Sequence, residues 1–251
     1  MSTTDKLMRL RDLLETSDRI AVFTGAGIST ESGIPDFRSP NGIWSKMTPI
    51  DYQEFVSSEE MRKEAWRRKI VIDKDMNVAK PNRGHRAVAE LVERGKCFCV
   101  ITQNIDGLHQ ASGIPPEKII EIHGNGTYAK CLDCNKRFEL EPIFEAFAHD
   151  ETTPRCDQCG GIVKTATISF GQAMPEEEMQ RAEYASQSCD LMLAIGSSLV
   201  VYPAAGFPIY AKRSGAKLVI LNREETEQDQ IADLVVNAEI GETLGAALAV
   251  E

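Results

Sequence analysis

A chain of 251 residues, 42% apolar and 26% charged, has the composition of a folded globular protein, large enough for one α/β domain or a main domain with a smaller insertion. No stretch approaches 18 uninterrupted apolar residues and Met1 to Arg11 is polar and charged, so neither a membrane span nor a secretory leader is expected and a cytoplasmic location is the default. The net charge of −10 excludes the basic footprint that phosphate backbones require, and leaves an acidic surface that serves solubility or attracts a Lys-rich peptide.

The segment from Met1 to Arg19 reads as a helix, with Leu7, Leu10, Leu13 and Leu14 at helical spacing and charges on the other face. Ile20 to Thr24 is a short apolar run that stops at Gly25, as a strand buried on both faces does, and Cys97 to Thr102, Leu191 to Ile195 and Lys217 to Leu221 share its character. Between the runs lie helical stretches, Gly84 to Arg94 and Pro203 to Ser214, the second closed by Gly215. This alternation predicts a doubly wound parallel sheet of the α/β class, whose ligands bind where the carboxyl ends of the strands open into a crevice. Pro35 to Pro81, without a clear strand, and Tyr128 to Lys164, with two cysteine pairs, break the alternation and are assigned to a smaller inserted lobe.

The chemistry-bearing residues fall at the predicted strand ends. Gly25-Ala26-Gly27-Ile28-Ser29 follows the first strand, where a glycine turn lets the backbone approach a pyrophosphate and donate N–H groups to it, or merely makes a turn. Gly196-Ser197-Ser198 and Asn222 end two further strands, and their hydroxyls and amide suit phosphate and ribose, so that three turns point to one elongated nucleotide site. Thr102-Gln103-Asn104-Ile105-Asp106 follows the second strand, and His123-Gly124 follows the apolar run Ile119 to Ile122. An amide, a carboxylate and an imidazole beside a nucleotide could orient ribose hydroxyls and take a proton from one of them; His123 alone could equally be structural. His85 and His109 fall in helical segments and read as structural, and His149 reads as a loop residue.

Cys131-x-x-Cys134 and Cys156-x-x-Cys159 have the spacing of two knuckles closing a tetrahedral thiolate shell around structural Zn²⁺. Metal binding of this kind is worth roughly 10–16 kcal/mol in small zinc peptides, enough to fold a core-poor insertion. Cys97, Cys99 and Cys189 lie in or beside apolar runs and read as core thiols.

Taken in order, these segments together with Gly33-Ile34-Pro35-Asp36-Phe37-Arg38 and Phe170-Gly171 resemble the signature of the sirtuins from about Ile20 to Gly241. The resemblance implies a Rossmann-type domain (residues 1–34, 82–127 and 165–251) and a small lobe made of a helical module (35–81) and a zinc ribbon (128–164). It also implies NAD as co-substrate, acyl-lysine proteins or peptides as partners, and an NAD-dependent lysine deacylase that yields free lysine, nicotinamide and O-acyl-ADP-ribose. His123 would be the general base and Asn104 would position ribose and water. Asp106 would bind the nicotinamide carboxamide, and Ala26, Ile28, Asp36, Phe37 and Arg38 would form a cofactor loop. Gly25, Gly27, Gln103, Ile105, Gly196, Ser197, Ser198 and Asn222 would make further NAD contacts, while Ile168, Phe170 and Gly171 would line the acyl-lysine tunnel.

Two positions depart from the family's pattern. Gln172 stands where Glu is frequent, and Glu64-Ala65-Trp66-Arg67 lacks the Tyr of the Tyr-x-x-Arg pair that accompanies succinyl and malonyl preference, so uncharged acyl groups are expected. Transfer of ADP-ribose to protein stays open as an alternative outcome. NAD sensing without turnover is also conceivable, although the joint presence of His123, Asn104 and Asp106 speaks against it.

Overall fold

The computed structural model describes residues 2–36, 42 and 47–251; the expected cofactor-loop residues Phe37 and Arg38 lie outside them. The elements run α1 (Thr3–Thr16), β1 (Ile20–Thr24), α2 (Tyr52–Ser57), α3 (Glu59–Met76), α4 (Arg83–Glu93), β2 (Cys97–Thr102), α5 (Leu108–Ala111), β3 (Ile119–Glu121), β4 (Gly124–Cys131), β5 (Arg137–Glu139), α6 (Leu140–Asp150), β6 (Val163–Thr167), α7 (Glu176–Ser188), β7 (Leu191–Ile195), α8 (Gly206–Arg213), β8 (Lys217–Leu221), β9 (Leu234–Val236) and α9 (Ile240–Leu248). Among the described residues no helix is long and apolar enough to cross a membrane.

Six parallel strands lie in the order β3-β2-β1-β7-β8-β9. Successive strand residues serve opposite faces, and both faces are covered. Ile20 and Val22 join Leu10, Leu13 and Leu14 of α1, Ala87 and Leu91 of α4 and Leu244 of α9, whereas Ala21 and Phe23 join Ala182 of α7 and Phe207 of α8. Burial on both faces is why the four inner strands appear in the sequence as unbroken apolar runs. β3 and β9, at the two edges, span three residues each, too few for such a run to stand out.

The chain lays β2 and β3 on one side of β1, then returns to lay β7, β8 and β9 on the other. The order reverses between β1 and β7, which places the ligand crevice at their carboxyl ends.

The smaller lobe is built on the antiparallel sheet β5-β4-β6, with α2, α3 and α6. Trp66 of α3 is fully buried with Ala129, Cys131, Leu140, Ile143, Phe147, Cys156 and Val163, and meets Phe144 edge-on at 6.4 Å, so the helical segment and the cysteine-bearing segment share one core. β6 ends at Thr167 on the lining of the crevice, and β4 starts directly after His123.

Two local expectations are corrected. His149 lies in the last turn of α6, not in a loop; it is exposed there, and the helix is held by Leu140, Ile143 and Phe147. The helix expected from Pro203 begins at Gly206, because Val201 and Pro203 carbonyls accept from Ala205 and Gly206 N–H groups in irregular turns before it.

Candidate active site and metal centre

Gly25 leaves β1 and Gly196 leaves β7 at the same level, and the two turns pack backbone against backbone. Gly196 has φ +62°, and a Cβ there would stand 2.4 Å from the Ile28 nitrogen; one at Gly27 would stand 2.7 Å from the Gly196 Cα. Only glycine permits this approach. Of the N–H groups in these turns, three are taken by the pairing: Gly25 N–H donates to Ile195 O, Gly27 N–H to Gly196 O and Gly196 N–H to Leu221 O. Among the described residues none accepts from the backbone N–H of Ser197 or Ser198, and those two donors border the crevice.

The crevice is one cleft of about 630 Å³. It gathers Gly25, Ala26 and Gly27 from the first turn, Asp36 from the segment beyond it, Gln103, Asn104 and Ile105 from the end of β2, and His123 from the turn between β3 and β4. Ile168, Phe170 and Gly171 enter beyond β6, Gly196, Ser197 and Ser198 from the end of β7, and Asn222 from the end of β8. Ile28 is fully buried in the sheet core, and its side chain does not border the cleft. Asp106 stands outside the lining, with Oδ2 accepting from the Ser29 hydroxyl (2.6 Å) and Oδ1 from Leu108 N–H (2.9 Å). Sequence reasoning missed Glu31, Arg223, Glu224 and Glu239 on the lining; the strand β9 that delivers Glu239 had no readable signal, and the Arg223–Glu239 ion pair (3.0 Å) joins the end of β8 to the start of α9.

Polar bonds cross between the strand ends. Gln103 Nε2 donates to Ser197 Oγ (2.9 Å), tying β2 to β7 across β1. Asn104 is almost fully buried, and its Nδ2 donates to Gly25 O (3.1 Å) and Ser29 Oγ (3.2 Å), so its amide orientation is set by two acceptors. His123 Nδ1 faces the Gln103 carbonyl at 3.2 Å, and since a carbonyl only accepts, Nδ1 carries a proton. The His123 carbonyl accepts from Ile168 N–H (2.8 Å), and the Phe170 carbonyl from Tyr52 N–H (2.8 Å), fastening the Ile168–Gly171 segment to the histidine turn and to the start of α2. Gln172 closes its own turn, with Oε1 accepting from Ser169 N–H (3.1 Å).

Behind β1 and β2 lie two buried imidazoles, His85 and His109, stacked edge-on at 5.2 Å. Burial pulls His85 down to about 4, against the pull of Asp106 and with help from Arg86; burial, then His85, pulls His109 down to about 3. Both stay neutral in the fold, while the unfolded chain protonates them near pH 6.5. Their contribution is therefore complete above about pH 6.5 and is lost as the pH falls toward 4. With two protons taken up on unfolding, stability should drop on the order of 4 kcal/mol between pH 8 and pH 5. Urea midpoints at the two pH values measure this; His109→Gln should halve the drop, and equal midpoints at both would refute it.

The four thiols of Cys131, Cys134, Cys156 and Cys159 lie within 4.8 Å of one another, with Sγ–Sγ separations of 3.5 Å (Cys131–Cys159) and 3.6 Å (Cys134–Cys156). A zinc tetrahedron with Zn–S bonds of about 2.3 Å has edges of about 3.8 Å, so the residues fit Zn²⁺. N–H groups of Cys134 and Asp133 bring Cys131 down to about 7, whereas Cys159, despite the Gly161 N–H, is held up at about 12 by its neighbours Cys131 and Cys134. Thiols this close repel one another once ionised, and a divalent cation among them would offset that repulsion. Gly161 makes room for the knuckle, since a Cβ there would stand 2.8 Å from Cys131 Sγ. The other thiols, Cys97, Cys99 and Cys189, are buried, and burial pushes Cys97 up to about 12 and Cys189 to about 11.

The chain is 59% identical over 237 residues to "NAD-dependent protein deacetylase 1" of Bradyrhizobium diazoefficiens, covering 94% of this chain and 93% of the relative. It is 45% identical over 240 residues to the NAD-dependent protein deacetylase of Thermodesulfovibrio yellowstonii, covering 96% and 93%. Among solved structures it superposes on a Sir2–p53 peptide–NAD+ complex with TM-score 0.86 at 38% identity over 97% of each chain. A Sir2Tm structure with a propionylated peptide gives 0.85 at 38% identity over 97% and 98%. The profile of the Sir2 family matches residues 25–203, and with these turns, this cleft and these four cysteines the chain belongs to the Sir2 family.

Proposed function

We propose that the protein removes acyl groups from lysine side chains with NAD as co-substrate, releasing nicotinamide and O-acyl-ADP-ribose. The observation that carries this reading is the single cleft that brings the His123 imidazole, the Gly25 and Gly196 turns and the Ile168–Gly171 segment together. When bound, NAD supplies an anomeric carbon that becomes electrophilic as nicotinamide leaves, and the acyl oxygen of the substrate lysine is the nucleophile placed beside it.

The rest is done by side chains. His123 Nε2 accepts a ribose hydroxyl proton, with Nδ1–H anchored on Gln103. Asn104 orients the sugar with an amide whose donor side is already committed to Gly25 and Ser29. Ser197 and Ser198 offer N–H groups to phosphate, Asn222 lies toward the far ribose, and Asp106, through Ser29, stiffens the floor of the cleft. Ile168, Phe170 and Gly171 receive the acyl-lysine and keep water away from it. In this reading the Rossmann-type unit is 1–34, 82–127 and 165–251, the small lobe is 35–81 and 128–164, and substrate enters between them. Zn²⁺ on the four cysteines holds the ribbon and takes no part in the chemistry. Core thiols and the acidic surface support a reducing cytoplasmic setting and cationic peptide partners over nucleic acid.

The test is nicotinamide release with and without an acetyl-lysine peptide, with mass analysis of products. Peptide-dependent release with soluble O-acetyl-ADP-ribose is expected; release that ignores the peptide, or ADP-ribose left on protein, would overturn the reading.

The acyl group should be uncharged. Arg67 is bound by Glu151 (Nε–Oε1 2.8 Å) and Glu60 (2.9 Å), Glu64 is paired with Arg68 (2.6 Å), and neither Arg67 nor Glu64 borders the cleft. Among the described residues the cation on the lining is Arg223, beside Asn222 and paired with Glu239. Among the described residues a buried acyl carboxylate would lack a partner, a penalty of at least about 1–3 kcal/mol, so kcat/KM on a succinyl peptide should fall roughly 10-fold or more below that on the acetyl peptide. Equal or faster desuccinylation would show that a cation reaches the acyl chain after all.

A further inference from the structure

Beneath the His123 turn lies a polar cluster outside the cleft lining. Glu121, the last residue of β3, is largely buried, and its Oε1 accepts from Asn125 Nδ2 (2.7 Å) and from Gln110 Nε2 of α5 (2.6 Å). Asn125 is almost fully buried, and its Oδ1 accepts from both the N–H (2.7 Å) and the hydroxyl (2.6 Å) of Thr127. Glu121 and Asn125 thus join hands across the residues that carry His123, two positions before it and two after. The backbone inside the clasp is pinned separately, Ile122 N–H on Thr102 O and the His123 carbonyl on Ile168 N–H. Removing the Glu121 side chain would unlink the two flanks of the turn from each other and leave the buried Asn125 amide donor and the half-buried Gln110 donor without their acceptor. Burial raises the Glu121 carboxyl above its ordinary range despite the two donors, as expected of a group kept for its geometry rather than its charge.

We infer that the Glu121–Asn125 clasp, braced by Gln110, is a positioning device that holds the His123 imidazole in register with the sugar, and that what it needs at position 121 is an acceptor oxygen, not a negative charge. This rests on the reading of His123 as the base. Both donors meet the same Oε1, so a glutamine can keep both with its carbonyl oxygen, and an alanine can keep neither.

The test is steady-state deacetylation by wild type, His123→Ala, Glu121→Ala, Glu121→Gln, Asn125→Asp and the double swap Glu121→Gln/Asn125→Asp. Glu121→Ala should lower kcat about tenfold or more, with KM for NAD and for peptide within about twofold of wild type, and Glu121→Gln should stay within about threefold of wild type. Asn125→Asp keeps its acceptor for Thr127 but loses the donor to Glu121, and should share the kcat loss. The double swap reverses donor and acceptor between positions 121 and 125, with the Gln110 amide turned so that its Oε1 accepts from the new glutamine, and should restore kcat, a rescue that general loosening would not give. Should Glu121→Ala fail to fold, the Asn125→Asp loss and its rescue decide the matter alone. Glu121→Gln as impaired as Glu121→Ala, unchanged kcat in the single variants, KM rising together with the kcat loss, or a double swap without rescue each overturn the clasp. An inactive wild type, or a fully active His123→Ala, would instead overturn the reading of His123.

Discussion

His123→Ala should lower kcat for deacetylation on the order of 10²-fold or more, the usual worth of a general base, with little change in melting temperature or metal content. The side chain borders the cleft and makes a bond from Nδ1 to the Gln103 carbonyl at 3.2 Å. Its loss removes the proton acceptor beside the sugar. The bond that matters to folding belongs to the backbone, the His123 carbonyl to Ile168 N–H, and alanine keeps it. Activity and stability are therefore expected to separate. Retention of activity within tenfold of wild type, in a variant with normal zinc and melting, would mean that another group takes the proton.

Stripping the metal should abolish activity although no cysteine ligand borders the cleft. The small lobe has a thin core of which Cys131 and Cys156 are themselves members, and its sheet has one strand of only three residues, β5. Metal binding worth roughly 10–16 kcal/mol in zinc peptides is the largest single term such a lobe can have. Without it the thiolates repel, β4 and β6 lose their ribbon end, and the Ile168–Gly171 segment that continues from β6 loses its support. Trp66, fully buried in that same core, is the reporter. Chelation should shift and quench its fluorescence, release one Zn²⁺ per chain and cut activity by at least about 10², while far-UV dichroism keeps most of the six-stranded sheet; added Zn²⁺ should restore all of these. Full activity after one equivalent of metal has been released would refute the dependence.

Legibility followed the range of the interactions. The inner strands β1, β2, β7 and β8 were readable because each is buried on both faces, so local composition reports tertiary position. The cysteine knuckles were readable because each holds its two ligands within a single turn, a local geometry. Less was legible where partners are far apart in the chain. Ile28 sits in a segment of cleft-facing residues, yet packs into the sheet core with residues as distant as Ile240. Gly25 and Gly27 look like phosphate donors in a one-dimensional reading, but their N–H groups are consumed by Ile195 and Gly196, which the sheet brings over from the end of β7. Arg67 carries the residue type that would read an acyl carboxylate, and Glu151, from the far end of α6, has already claimed it.

By itself, then, the sequence determined a doubly wound α/β sheet with a cysteine-ribbon insertion, and placed the glycine, serine, amide and imidazole groups at the carboxyl ends of its strands. Hydrophobic periodicity and ligand spacing are properties of neighbouring residues, and they survive without the fold. The tertiary structure alone decided which side of each turn faces the cleft, which N–H groups remain for a ligand, that the Nδ1 proton of His123 is held by Gln103, and that Glu121 and Asn125 close beneath it. Those choices depend on groups brought together by packing across the sheet, and no local pattern encodes a partner from a distant part of the chain.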